Sequence, residues 1–249
     1  MKKHPFLLLL SILSLIIPAV KAGLPAAAAT AAGLLAERQT RTVASFTAVT
    51  AAGSMRVVVR QGSPQRVEVE ASAADQAKVE TEVEDGRLRV GQRRDSNKMW
   101  GSSVRFDGPV TVYVTAPNLT GVSVAGSGDM RVDGPVQASD FKVSVAGSGN
   151  LSLTQLTAQE VKTSVAGSGN ITLGGNCTRS NVSIAGSGNV RAAELRTDDT
   201  TVRISGSGNA NVQATKTLTS KTSGSGDVVV SGNPQISSSK SGSGTVRRI

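Results

Sequence analysis

Few residues in this sequence could do chemistry. Asp133, Asp140, Glu160, Glu194 and the adjacent Asp198 and Asp199 are the carboxylates to consider, because two acids held roughly 5 to 9 Å apart can cleave a glycosidic bond. Each occurs once, in a variable stretch, with no recurring pair. There is one cysteine, Cys177, and one histidine, His4. A single cysteine forms no intrachain disulfide and excludes a cysteine zinc site. His4 lies in a segment expected to be removed, so the mature chain would lack the imidazole of a Ser-His-Asp or Cys-His site and any histidine metal ligand. No catalytic residue, cofactor or metal is expected. Nothing around Cys177 suggests activation, so it reads as a small buried hydrophobe.

One stretch has the composition of a contact surface. Residues 91–103 (GQRRDSNKMWGSS) form the longest irregular segment and hold Arg93, Arg94, Lys98 and the only tryptophan, Trp100. Exposed, they form a candidate binding loop in which the indole stacks on a sugar face and the arginines meet anions. The alternative is that Trp100 plugs the core and the basic residues are solvated. Arg87 and Arg89, spaced by two, share an outward strand face. The formal charge is +9 without a basic block, and aromatic residues are only 2%. Both features argue against a nucleic-acid partner. Diffuse adhesion to anionic envelope polymers remains open.

The segments that would position these residues begin with a leader. Lys2, Lys3 and His4 precede an apolar run over residues 6–17, too short for the roughly 20 residues of a membrane span. Val20-Lys21-Ala22 supplies small residues at the −3 and −1 positions of a cleavage site, and this order defines a secretory signal peptide over 1–22. The mature chain, carrying no transmembrane segment, is expected in the periplasm or secreted to the cell envelope. Residues 23–40 open with an Ala-rich low-complexity stretch and read as a linker. From 41 onward short alternating runs predict strands at 55–59, 67–71, 88–90 and 110–114.

One unit then recurs seven times. Gly-Ser-Gly begins at Gly126, Gly147, Gly167, Gly186, Gly206, Gly224 and Gly242, at intervals of 21, 20, 19, 20, 18 and 18. Each unit reads as strand, glycine corner, strand and variable return. A unit this small cannot bury a core alone, but units stacked about 4.8 Å apart share one aliphatic interior. The fold expected is all-β, a parallel β-solenoid with coils of about 20 residues, right-handed by the general crossover rule. Propeller blades need about 40 residues, and a leucine-rich repeat needs a Leu/Asn pattern absent here. A plain β-sandwich is the remaining competitor.

After the corners come Asp129, Asn150, Asn170, Asn189, Asn209 and Asp227, with Thr245 at the seventh. Stacked carboxylates would repel, whereas stacked amides hydrogen-bond along the column. The column therefore reads as a structural ladder, the alternative being an anion cradle of corner N–H groups.

The V-x-V-A/S-G-S-G-D/N units at 122–129, 143–150, 182–189 and 202–209, with the upstream VTVYVTAPNLTGVSVAGSGD, resemble the DUF2807 family, the auto-transporter adhesin head or GIN domain. The resemblance covers about residues 41–249. It implies a β-helical, exported envelope protein and transfers no catalytic residue. A complete autotransporter would add a membrane barrel, and nothing after Gly244 could form one. The expected function is a non-enzymatic, adhesin-like binding module presenting a rigid face to glycans or envelope proteins. The alternative is a carbohydrate-active β-helix enzyme. Residues 41–60 are expected to fold over the first coil as a cap, and the C-terminal end is a candidate for end-to-end self-association.

Overall fold

A computed structural model describes residues 36–93 and 105–249. Corner residues pair in register from rung to rung: Gly126 with Gly147, Gly147 with Gly167, then Gly186, Gly206 and Gly224. The chain is a parallel β-solenoid of about six turns.

The rungs are strands bent at the glycine corner. β8 (Gly121–Gly126) enters the first Gly-Ser-Gly corner and β9 (Asp129–Val132) leaves it; β10 (Val136–Gly147), β11 (Asn150–Gly167), β12 (Asn170–Gly186) and β13 (Asn189–Gly206) then wind on. In the shorter last coils the return breaks, giving β14 (Asn209–Gln213), β15 (Thr217–Gly224), β16 (Val228–Ser231), β17 (Gln235–Ser241) and β18 (Val246–Arg248). Unequal coil lengths are absorbed away from the corners. Register shifts fall between Leu153 and Leu156 and between Thr172 and Gly174, where a bulge leaves the corner stack undisturbed.

Alternation places every second residue inside. Val124, Val145, Val165, Ile184 and Ile204 pair in one buried column, and Met130, Leu151, Ile171 and Val190 in another. Each such side chain contributes about 1.5–3 kcal/mol by leaving water. The aliphatic interior expected of the stacked units is supplemented by buried Phe46, Phe141, Met55 and Met130. The core turns polar toward the last coils: the column of Val202 continues as buried Ser220 and then exposed Ser238, and that of Ile204 as buried Thr222 and then exposed Lys240.

The N-terminal end departs from sequence order. β2 (Ala48–Gly53) and β3 (Arg56–Gln61) do not cover the first coil. They form a rung of their own, pairing with β8 and β9 on one side and with β6 (Arg87–Gln92) and β7 (Thr111–Ala116) on the other. Met55, Val57 and Val59 feed the common core, and burying them within the stack is worth more than laying them over its end. The cap is built instead by antiparallel strands. β4 (Arg66–Ala71) runs against β7, β1 (Glu37–Arg41) against β4, and β5 (Val79–Glu84) against β6. β1 thus takes up the last residues of the stretch read as linker.

A four-residue helix, α1 (Ala73–Gln76), follows β4. Its Asp75 is fully buried. The carboxylate accepts from the Lys78 ammonium at 2.9 Å, from the N–H groups of Asp107 at 3.0 Å and Gly108 at 2.9 Å, and from the Ser72 hydroxyl at 3.1 Å. Lys78 also reaches Asp107 and the Arg105 carbonyl.

Candidate functional site

The corners come first, because everything on the surface is registered to them. Gly126, Gly147, Gly167, Gly186, Gly206, Gly224 and Gly242 all have φ between +117° and +125°, a conformation that side chains with a Cβ rarely adopt. An eighth corner, Gly53, has φ +116° and pairs with Gly126. It escapes the Gly-Ser-Gly pattern because Met55 follows Ser54; the preceding V-T-A-A-G-S run is its signal.

Corner N–H groups do not face solvent. Ser148 and Gly149 donate to the Gly126 carbonyl, Ser168 and Gly169 to Gly147, Ser187 and Gly188 to Gly167, all at 2.9–3.0 Å. These donors are consumed by the preceding rung and leave no anion cradle at those corners.

Beside the corners the Asx side chains run as a directed chain. Asn150 donates to Asp129, Asn170 to Asn150, Asn189 to Asn170 and Asn209 to Asn189, at 2.9–3.1 Å. An amide in mid-chain must donate one way and accept the other; a carboxylate only accepts. Asp129 therefore fits the accepting end. Asp227 cannot continue the donation, so its backbone N–H reaches Asn209 at 3.0 Å instead. Its carboxylate then accepts the hydroxyl and N–H of Thr245, which hold its pKa below the usual carboxylate value.

Substituting Asn170→Asp is expected to remove the donor to Asn150 and set two acceptors face to face. The loss should be about 1 kcal/mol at neutral pH. Because the protonated acid can donate again, the folded pKa of the new group is raised. The deficit is present above that pKa and shrinks as pH falls through it. A gap between variant and parent melts that is constant from about pH 3 to 7 would contradict this reading.

The face carried by β7, β3, β9 and their successors holds a shallow groove of about 730 Å³. Its outward lining includes Tyr113, Arg56, Arg131, Asn170, Thr172 and Arg191. Register puts Tyr113, Val58, Arg131, Ser152, Thr172 and Arg191 in one column, continued by Asn211, Val229 and Arg247. Arg131 pairs with Asp133. Arg56 and Arg191 make no ion pair among the described residues. The Tyr113 ring is covered by the Arg38 guanidinium, 4.3 Å from its centroid. The sequence analysis missed this groove, although each column residue from Arg131 to Arg247 sits two places after a ladder residue in the repeat. A second concavity, of about 770 Å³, is lined by Arg87, Asp140 and Lys142 among others.

Of the candidate loop, Arg93 is exposed and its N–H bonds the Lys78 carbonyl at 2.8 Å. Arg94, Lys98 and Trp100 lie outside the described residues. Arg89 meets Glu80 at 3.4 Å.

Of the carboxylates considered above, Asp133, Glu160 and Asp198 are ion-paired. Glu160 meets Lys162 at 3.0 Å and Arg179 at 3.5 Å, and Asp198 meets Lys216 at 2.9 Å. The hydrogen bonds from Lys162 and Lys216 keep both acids ionised below the ordinary carboxylate range, the wrong direction for a general acid near neutrality. Burial, with a contribution from Asp198, pushes the Cys177 thiol up to about 12, so it is protonated and inert. No group of three potential metal ligands occurs among the described residues, and no helix among them is long and apolar enough to cross a membrane.

These features define a class: a β-solenoid scaffold with a largely aliphatic interior and registered columns of polar side chains outside. The chain belongs to the DUF2807 family, whose description reads "Putative auto-transporter adhesin, head GIN domain" and whose model matches residues 45–234. Solved structures share the fold. A "putative adhesin" from Bacteroides fragilis is 24% identical with a TM-score of 0.78, covering 86% of this chain and 97% of that one. A "Putative lipid binding protein" from Parabacteroides distasonis is 22% identical with a TM-score of 0.72 over the same shares. A "putative adhesin" from Parabacteroides merdae is 20% identical with a TM-score of 0.65, covering 86% of this chain and 96% of that one. No curated protein matches the chain.

Proposed function

We propose that this protein is an exported, non-enzymatic binding module of the cell envelope that holds an extended glycan along its polar groove. The observation that carries this reading is the groove itself. Successive rungs present arginine, hydroxyl and amide side chains in straight columns on a rigid face, the donors and acceptors that sugar hydroxyls require. Membership of an adhesin-named family supports a binding role. The basic, apolar, small-residue order over positions 1–22 supports export. The ion-paired acids support the absence of turnover. The outward lining offers one aliphatic side chain, Val58, which suits a lipid tail poorly.

Thr172 stands in mid-groove, so Thr172→Trp fills it from an outward strand position without touching the core. On a glycan array the variant should lose at least tenfold in affinity for any ligand the parent binds, with an unchanged thermal melt. Undiminished binding would place the ligand elsewhere on the molecule.

A further inference from the structure

The charge pattern of the groove identifies the chemical class of its ligand, an inference that rests on the glycan reading above. Arg131, Arg191 and Arg247 recur in one column at every third rung. Three rungs at strand spacing are about 14 Å. No acid interrupts the column from Tyr113 to Arg247. In the neighbouring column the carboxylates of Asp129 and Asp227 are occupied by the Asx ladder, and Arg56 stands beside Asp129 in register. Asp133, which also lines the groove, accepts the Nε–H of Arg131. Arg56, Arg131 and Arg191 outnumber the two lining acids, Asp129 and Asp133, so the net bias of the face is positive.

We propose that the groove selects an acidic polysaccharide laid across the rungs, with carboxylate or sulfate groups meeting Arg131 and Arg191. A guanidinium fork fits either anion with two parallel hydrogen bonds. Between the arginines lie Ser152, Thr172, Asn150 and Asn170, neutral donors and acceptors matched to hydroxyls. An anionic membrane or a nucleic-acid backbone would call for clustered cations, since attraction between exposed charges is screened beyond about 8 Å at physiological salt. Cations about 14 Å apart with hydroxyl-binding groups between them suit a sugar chain whose anionic groups fall at intervals.

The test is calorimetric titration of the folded chain with polygalacturonate oligomers, neutral dextran oligomers and phosphatidylserine vesicles. Polygalacturonate should bind, weaken with added salt, and lose at least tenfold in affinity in the Arg131→Gln, Arg191→Gln double variant. Arg196→Gln, on another face, should bind like the parent. Both substituted groove positions are exposed, so the variants should melt normally. Equal binding of dextran, preference for vesicles, no binding of polygalacturonate, or a double variant that binds as well as the parent would each overturn the proposal. Loss with Thr172→Trp but not with the double variant would keep the glycan groove and reject its acidic selectivity. Indifference to Thr172→Trp would reject the groove reading itself.

Discussion

Gly206→Ala should lower the melting temperature by about 10 °C or more, whereas Gly134→Ala should lower it by only a few degrees. Both glycines have positive φ, +125° and +80°, so both substitutions carry a backbone penalty of about 1–3 kcal/mol, the larger at Gly206, whose φ lies further from the left-handed region at about +57°. They differ further in what the new methyl group meets. At Gly206 a Cβ would lie 2.4 Å from the Gly186 carbonyl oxygen; at Gly134 nothing lies within 4 Å. The Gly186 oxygen cannot move aside, because it accepts the N–H groups of Ser207 and Gly208 at 3.0 Å. Relief requires prising two rungs apart, which adds the roughly 1–3 kcal/mol or more of overpacking and weakens every pairing on that interface. Loss of about 4 kcal/mol is a large share of a domain's usual 5–15 kcal/mol. Calorimetry on both variants decides: similar melting temperatures would mean that backbone preference alone, and not rung-to-rung contact, selects glycine at the corners.

That contact explains why so much of the fold is legible in the repeat. Where carbonyls and Cα atoms stack at strand spacing, only glycine fits, and its recurrence reports the coil length directly. Alternation around each corner reports which side chains face the core. The same register locates the outward columns, so the groove was in principle readable from the residue two places beyond each Asx. The N-terminal end was less legible for a physical reason. Val57 and Val59, Leu88 and Val90, and Val112 and Val114 alternate alike, and alternation does not say which strand lies beside which. Placing the β2–β3 rung between β6–β7 and β8–β9 depends on pairings between segments far apart in sequence, such as Val57 with Val112. The reading of residues 41–60 as a cap failed there. Cys177 was legible as a small buried hydrophobe because no activating motif surrounds it. The direction of the Asx ladder was half-visible: Asp stands at the ends and Asn between, but the reason lies in donor polarity, which needs side-chain geometry.

Asp75 left almost no trace in the sequence, yet removing it should be among the most damaging substitutions outside the corners. In A-A-D-Q it looks like a solvated helix acid. In the fold it is buried and satisfies four donors, two of them the backbone N–H groups of Asp107 and Gly108 on a distant stretch of chain. Asp75→Ala would leave those N–H groups and the Lys78 ammonium without their acceptor, at a cost of about 3 kcal/mol. Asp75→Asn keeps the shape but loses the charge and should fall between. The acid limb of stability supplies a second readout. Burial alone would raise the Asp75 pKa, but the hydrogen bonds from Lys78, Asp107, Gly108 and Ser72 outweigh it and the pKa is lowered. A carboxyl whose folded pKa lies below its unfolded value, about 3.9, contributes stability that is present above that value and fades as pH falls through the folded one. The parent should therefore lose stability below about pH 4 more steeply than Asp75→Ala. Parallel denaturation curves from neutral to strongly acidic pH would show that the buried carboxylate is not what ties α1 to residues 105–108, and that the N-terminal cap is held by its strands alone.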